Sequence, residues 1–492
     1  MGEANTYRKG LKGISVFGGL QVYKILISMC TTKVSAIFLG PIGLGIYGLF
    51  TSTLTTIEML ISCGLGVSSV KDIAQAKESG DKGKVATVYT VLSRLSWITG
   101  LVGCLVCLFG AKWLSRSAFG NDDYTWGFVA VSATILFSQI ITAQGALMTG
   151  LRDYGLIAKL RIGVSTASLV LVAGLYWWLG VKGIVPVILL SSLFYVVASS
   201  VLSHRKYHLR AQVAWKDTFR LGAAMFKGGV FLSLSYLFIA LTGYLIRIFI
   251  SHVGDAATVG LFVASFSLVN TYLGLVLSSI EADFYPRLSG AADDKELFDT
   301  TIRQELELVL LMVVPLVVVM MIFSQPMLAV FYSTKFFAAK GIIIWTALSI
   351  VIRVPGWIGS VTLMAKGKNR IYLYNKVICS AYQLGLNMLG FYYWGLIGLG
   401  VSYCVSELLA SLQMWIVLGR MGIRSLTRKS VLTCMLLVGA ALGVAVFATL
   451  TSGWLLYGAG SVLTALIGGY CLVGLDRRVG IRELIGKKLR KR

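Results

Sequence analysis

Seven ionisable residues stand inside stretches of this sequence that are otherwise apolar: the cations Lys24, Lys33, Arg94, Arg247 and Arg353 and the acids Glu58 and Glu407. A guanidinium suits a phosphate or pyrophosphate through bidentate hydrogen bonds, and an ammonium suits it as a point charge. The surplus of cations points to an anionic ligand. At mid-bilayer a charged side chain costs at least about 2.5–3.5 kcal/mol, so each one needs an interior cavity or a partner. Metal chemistry is not expected, because the three His have no convincing second ligand. Cys104-Leu-Val-Cys107 has a redox spacing, yet it lies in a continuous apolar helix without a βαβ context. The eight Cys read as packing residues of apolar helices, and no cofactor is implied.

Position sharpens these roles. Lys24 is central in the first apolar segment, on a stripe with Gln21, Ser28, Thr31 and Ser35. Arg353 is equally central in the tenth, and Pro355 and Gly356 after it predict a kink. Broken helices at mid-depth recur at transport sites, because freed backbone groups must face protein or water; Arg353 serves either a cavity or those carbonyls. Lys33 and Arg247 lie within six residues of the outer ends of their segments, so each either snorkels outward or joins an anion site. At roughly 100° per residue, Lys33 is half a turn round the helix from Lys24. Arg247 shares a stripe with Ser233, Tyr236, Tyr244 and Ser251. Arg94 is near the inner boundary and reads as a topology anchor. Glu58 forms a stripe with Thr51, Thr55 and Ser62; it pairs with a lysine of the first segment or carries a coupling proton, and Glu407 has the same two options. Tyr236, Tyr244, Trp345 and Trp357 are candidates for stacking on sugar rings.

The elements that must hold these residues are about fourteen apolar segments of spanning length: 13–39, 42–66, 87–109, 125–149, 162–179, 183–202, 228–251, 258–280, 305–323, 341–365, 377–393, 396–418, 431–450 and 454–473. Crossing the hydrocarbon core takes about 20 residues. The alternate gaps that share a side with the two ends hold 35 of the 45 Lys/Arg, and the opposite gaps hold five: Lys112, Arg116, Lys182, Lys335 and Lys340. By the positive-inside rule both termini are cytoplasmic. A hydrophobic share of 57% and a mean hydropathy of +0.80 exclude an ordinary soluble domain. The net charge of +24 is a set of topology determinants beside an anionic leaflet, not a nucleic-acid surface. The N-terminal run reads as a first span, because no small-x-small cleavage site follows it. The longest polar connections are 67–85, 204–220 and 282–300.

The chain repeats itself. Lys33-Val-Ser-Ala-Ile-Phe-Leu-Gly40 and Arg247-Ile-Phe-Ile-Ser-His-Val-Gly254 each place a cation seven residues before a Gly, 214 residues apart. Leu147-Met-Thr-Gly150 and Leu363-Met-Ala-Lys-Gly367 recur 216 apart. Six segments separate the partners, an even number, so the repeat is parallel. The predicted fold is an all-α polytopic membrane protein with two parallel-repeat six-helix bundles (1–220 and 221–425), an extra helix pair (426–476) and a basic cytoplasmic tail (477–492).

This arrangement resembles the MOP exporter superfamily, and within it the polysaccharide-type flippases. The resemblance rests on Phe38-Leu-Gly-Pro-Ile-Gly-Leu-Gly-Ile-Tyr-Gly48, Gly64-Leu-Gly-Val-Ser-Ser-Val-Lys-Asp-Ile-Ala74, Leu147-Met-Thr-Gly-Leu-Arg-Asp-Tyr154 and Asp283-Phe-Tyr-Pro-Arg-Leu288. It covers roughly the first 420 residues. It implies a MATE-like fold that carries an undecaprenyl-pyrophosphate-linked oligosaccharide outward across a bacterial inner membrane by alternating access. The intramembrane cations Lys24, Lys33, Arg247 and Arg353 are then candidates for the pyrophosphate, with Glu58 and Glu407 for coupling or charge pairing. Implied partners are the lipid-linked glycan, anionic membrane lipids and a polysaccharide polymerase. A cation-coupled multidrug exporter of the same superfamily is the alternative; it would call for acids to dominate the first bundle. A membrane glycan polymerase is a remote one, since the outer loops are short and Asp122 and Asp123 are their clearest acids.

Overall fold

A computed structural model describes residues 2–479 except 63, 210 and 424, and their side chains apart from those of 2–22, 24, 67, 227, 228 and 479. The basic tail 477–492 lies almost wholly outside the described residues. The described chain is helical throughout: α1 (Gly2–Ser62), α2 (Leu65–Glu78), α3 (Lys82–Phe119), α4 (Thr125–Gly150), α5 (Tyr154–Leu179), α6 (Ile184–Tyr207), α7 (Trp215–Val253), α8 (Ala256–Gly290), α9 (Lys295–Ile322), α10 (Ser324–Phe331), α11 (Lys340–Ala365), α12 (Asn369–Arg420), α13 (Arg428–Leu450) and α14 (Gly453–Val479). Among the described residues eleven helical stretches are long and apolar enough to cross a membrane. Three of them turn back at a glycine with positive φ: Gly40 (62°), Gly180 (54°) and Gly395 (59°). Each therefore supplies two crossings, and the fourteen segments of the sequence are accounted for. At Gly40 the cause is legible. Pro41 bars its predecessor from the α region and is itself suited to the first turn of the next helix.

The chain divides into two compact units, Met1–Gly260 with Phe331–Ser333, and Leu261–Val330 with Thr334–Arg492. In the first, α7 packs on α1, α2 and α3, and α4 is flanked by α3 and α6. In the second, the later half of α9, 308–322, is apolar all round and mostly buried, and α11, α13 and α14 pack against this helix. Glu307 of α9 anchors the last two helices: it accepts from Ser430 Oγ at 2.9 Å and from Arg478 Nε at 2.9 Å.

The repeat is written in the backbone more clearly than in the side chains. α4 and α11 end in the same cap. Leu151, Arg152 and Asp153 N–H donate to Leu147, Thr149 and Met148 carbonyls, and Lys366, Gly367 and Lys368 N–H donate to Thr362, Met364 and Leu363 carbonyls, at 2.9–3.1 Å. Both put a left-handed residue at the same place, Arg152 (φ 52°) and Gly367 (φ 66°), as this cap requires. These equivalences are 215 residues apart, so the matching Leu-Met letters at 216 are one residue out of backbone register. Gly180 and Gly395 share the same offset of 215 and nearly the same backbone, φ/ψ 54°/−130° and 59°/−144°.

The connection read as polar, 67–85, is largely α2. Gly64 (φ 83°) stands at the N-cap of α2, which then lays Leu65, Ser69, Ile73 and Ala76 into the first unit. Its end is tied to the α4–α5 turn: Lys77 Nζ donates to the Leu151 carbonyl at 2.6 Å, and Arg152 pairs with Glu78 at 3.4 Å. On the same turn Asp153 caps α5 and is held by Lys206 and Tyr207 of α6. Partial burial pushes the Asp153 carboxyl up, but the hydrogen bonds from Lys206, Tyr207 and Leu156 N–H and the Lys206 charge prevail and hold it below its ordinary 3.8. A depressed carboxyl contributes stability above its unfolded pKa and loses it as pH falls through the folded value. Thermal midpoints measured from pH 7 to below pH 3.8 are expected to fall on the acid side in the wild type. In Asp153→Asn that acid limb is expected to flatten and the neutral-pH midpoint to drop; an unchanged limb would show the clasp contributes nothing.

Candidate functional site

Helical spacing carries the first part of the site. Thr51, Thr55, Glu58 and Ser62 fall on one face of the second arm of α1, and that face borders two cavities within the first unit. One, of about 500 Å3, runs from Tyr47 and Thr51 to Ser168, Ser191 and Tyr195 on α5 and α6. The other, of about 360 Å3, includes Ser62, Gln139, Thr149, Ser233 and Tyr236. Thr55, Glu58, Ser138 and Thr142 line both, so the Glu58 carboxylate stands where they meet.

The hydroxyls around Glu58 are polarised in one sense. Thr51 Oγ1 donates to the Tyr47 carbonyl at 2.8 Å, Thr142 Oγ1 to that of Ser138 at 2.8 Å, and Ser138 Oγ to that of Ile135 at 2.9 Å. Such back-bonding is how Ser and Thr settle in a helix. It commits the hydroxyl protons to backbone and leaves lone pairs toward the cavity. Together with the carboxylate they form an acceptor surface, suited to a ligand rich in hydroxyl donors or to a cation.

The second unit holds the central arginine. Pro355 cannot donate, and the helix ladder opens beside it. Ser411 of α12 enters the gap: its Oγ donates to the Ile352 carbonyl at 2.9 Å and accepts from Gly356 N–H at 3.2 Å. Gly356 is required for this approach, since a Cβ there would lie 2.8 Å from Ser411 Oγ and 3.0 Å from its Cα. A hydroxyl from the neighbouring helix thus bridges the break next to Arg353. Ser411→Ala is expected to lower stability by about 1–3 kcal/mol, read as a fall in thermal midpoint in detergent; an unchanged midpoint would mean that the ladder closes on its own.

Arg353 is half-buried on α11, and the field it exerts reaches Glu407 on α12, as does that of Lys376. Around them Gln413 Nε2 donates to Asn375 Oδ1 at 2.7 Å, and Tyr382 donates to Cys379 Sγ at 3.1 Å. Lys376 and Asn375 escape the sequence reading because the eleventh segment starts at 377, whereas α12 begins at Asn369; Gln413 lies in the twelfth segment, where one uncharged amide gives no signal.

The other candidates are placed separately. Lys33 is half-buried on α1 and Arg247 half-buried on α7, where Nη1 donates to the Gly243 carbonyl at 3.0 Å. Lys24 lies on α1, but its side chain falls outside the described residues. Arg94 is tied to the start of α7: its Nη1 donates to the Val213 carbonyl at 2.7 Å and to Thr218 at 3.0 Å, with its guanidinium 4.8 Å from the Trp215 ring. Tyr236 borders the Glu58 cavity, while Tyr244 is buried. Arg287 of the Asp283–Leu288 motif clasps Asp283 at 3.5 Å and the buried Glu305. Among the described residues no His, Cys, Asp and Glu cluster could hold a metal.

A family model described as polysaccharide biosynthesis protein matches residues 11–291. No curated protein matches the chain. Among solved structures, the lipid II flippase MurJ in an inward closed conformation is similar at a TM-score of 0.70 and 11% identity, over 94% of this chain and 98% of that one. An inward-facing multidrug resistance MATE family transporter of the MOP superfamily is similar at 0.69 and 17% identity, over 82% and 94%. A MOP superfamily transporter from Pyrococcus furiosus, described as having a binding pocket of reverse polarity, reaches 0.55 and 16% identity, over 82% and 95%. Identities this low establish a shared fold.

Proposed function

We infer the function from the premise that this chain belongs to the polysaccharide biosynthesis protein family: it is a flippase that carries a lipid-linked anionic glycan across the membrane. The substrate we propose is an undecaprenyl-pyrophosphate-linked oligosaccharide, an O-antigen or other surface-polysaccharide unit. It moves from the inner to the outer face of a bacterial cytoplasmic membrane by alternating access, with no covalent step. The observation that carries this reading is the pairing of chemistries inside the membrane helices. Arg353 offers a phosphate-binding fork in the second unit, and the Glu58 cavity offers acceptors for sugar hydroxyls in the first.

Lys24, Lys33, Arg247 and Arg353 are assigned to the pyrophosphate, and Glu58 and Glu407 to charge pairing or to a coupling proton. We place both termini in the cytoplasm and the anionic lipids beside the cationic loops, with a polymerase as the acceptor of the delivered unit. The halves that alternate are 1–220 and 221–425, and 426–476 is an appended pair.

One observation favours a second reading. Glu58 among lone pairs would also attract a cation, as a cation-coupled drug exporter needs. The experiment that separates the two uses proteoliposomes with the intact chain. Protein-dependent flipping of a fluorescent pyrophosphate-linked glycan lipid, without uptake of cationic dyes, supports the flippase. Dye uptake without flipping moves the assignment to the exporter and makes the central cations structural.

A further inference from the structure

α4 borders polar space on the side away from Glu58 as well. Two hollows of about 270 and 240 Å3 lie between α3, α4 and α6, and Tyr89, Gln144 and Ser200 line both, making one crevice. One end reaches Trp97, a residue 53% exposed on α3. The other reaches His204 and His208 at the end of α6. Gln144 is only 6% exposed. Its amide nitrogen donates to Ser200 Oγ at 2.7 Å, while its Oε1 is buried without a hydrogen-bond partner. Turning the amide round would exchange the two ends and still leave one unmatched. A buried amide end without a partner is an exception in native folds and calls for a ligand or a water.

The lining narrows the chemistry. Among the described residues no Lys or Arg borders either hollow, so a pyrophosphate there would be desolvated without counter-charge. What the crevice offers instead is the Gln144 carbonyl oxygen, serine hydroxyls and the aromatic rings of Tyr89 and Trp97. These suit an ammonium, by hydrogen bonds from its N–H groups and by cation–π attraction. Depth agrees. Gln144 is six residues from the end of α4, about 9 Å along the axis at 1.5 Å per residue, within reach of the headgroup zone. The imidazoles at the mouth can donate to a phosphodiester.

We propose that this crevice holds the headgroup of one membrane aminophospholipid, its ammonium at Gln144 Oε1 and its phosphodiester at His204 and His208. The site is apart from the Glu58 cavities and does not depend on which substrate they carry. The test compares thermal midpoints of the full-length protein in lipid nanodiscs containing phosphatidylethanolamine, phosphatidylcholine or phosphatidylglycerol with the same acyl chains. Phosphatidylethanolamine is expected to raise the midpoint by several degrees, saturably. Phosphatidylcholine, whose trimethylated nitrogen has no N–H, and phosphatidylglycerol are expected to give no such rise. Gln144→Leu is expected to abolish the increment while keeping the phosphatidylcholine midpoint. If that variant does not fold, Ser200→Ala, expected to diminish the increment, takes its place beside the wild-type comparison. Equal shifts with all three lipids, a rise with phosphatidylglycerol alone, or a full phosphatidylethanolamine increment in the folded variant each overturn the proposal.

Discussion

Arg353→Ala is expected to slow flipping of a pyrophosphate-linked glycan in proteoliposomes by about 10- to 100-fold, with the protein still folded. Hydrogen bonds to charged groups contribute about 1.5–3 kcal/mol each, and 1.4 kcal/mol is a factor of ten. Arg353→Lys keeps the charge but not the planar fork, so its rate should fall between the two. Glu407 makes the test sharper, because the Arg353 field acts on it. If the arginine only neutralises that carboxylate, Arg353→Ala/Glu407→Gln removes both charges together and should restore the rate. If it binds the substrate anion, the double variant stays slow. The proposed function requires the second result; full recovery in the double variant would make Arg353 structural and remove it from the site.

Arg353 also shows which kinds of information the sequence carries. Its depth and the nearby proline were legible, because hydropathy and Pro chemistry are local properties. That a serine 55 residues on from Gly356 fills the opened ladder was not legible, because it depends on how α11 and α12 pack. The stripe bearing Glu58 was likewise readable from its period of 3.6. The facing wall, with Ser138 on α4 and Ser191 on α6, was not, since single hydroxyls are scattered through all these helices. That 67–85 is a polar connection was legible; that it folds as α2 and is partly buried was not, because its buried stripe contains Ser69 and Ala76, which weigh little in a hydropathy count. The Gly180/Gly395 equivalence was hidden for a different reason: a shared backbone conformation leaves as shared letters only these and Gly183/Gly398, glycines among many.

The same offset of 215 leads to the largest expected effect on stability. Within the first unit, a Cβ added to Gly45 would sit 1.8 Å from the Ala256 carbonyl oxygen, and one added to Gly260 would sit 1.8 Å from that of Pro41. Gly45 corresponds to Gly260 and Pro41 to Ala256, so the approach is reciprocal: each glycine receives the carbonyl of its counterpart's neighbour. Without a hydrophobic drive between helices in lipid, small residues allow backbones to approach and gain packing and weak C–H···O hydrogen bonds. Overpacking a core costs about 1–3 kcal/mol where side chains can yield. Here the obstacle is backbone, which cannot rotate aside, so Gly45→Ala and Gly260→Ala should each cost about 3 kcal/mol or more, by similar amounts. Residues in one contact do not add. Once either methyl has parted the helices, the second finds the space already open, and the double variant should lose less than the two singles summed. Gly163→Ala on α5, with nothing within 4 Å of its Cβ, is the control and should not lower the midpoint. Thermal midpoints of the four proteins against wild type decide it. Strict additivity would mean that the two glycines serve separate contacts, and neutral singles would mean that the crossing is looser than the backbone geometry requires.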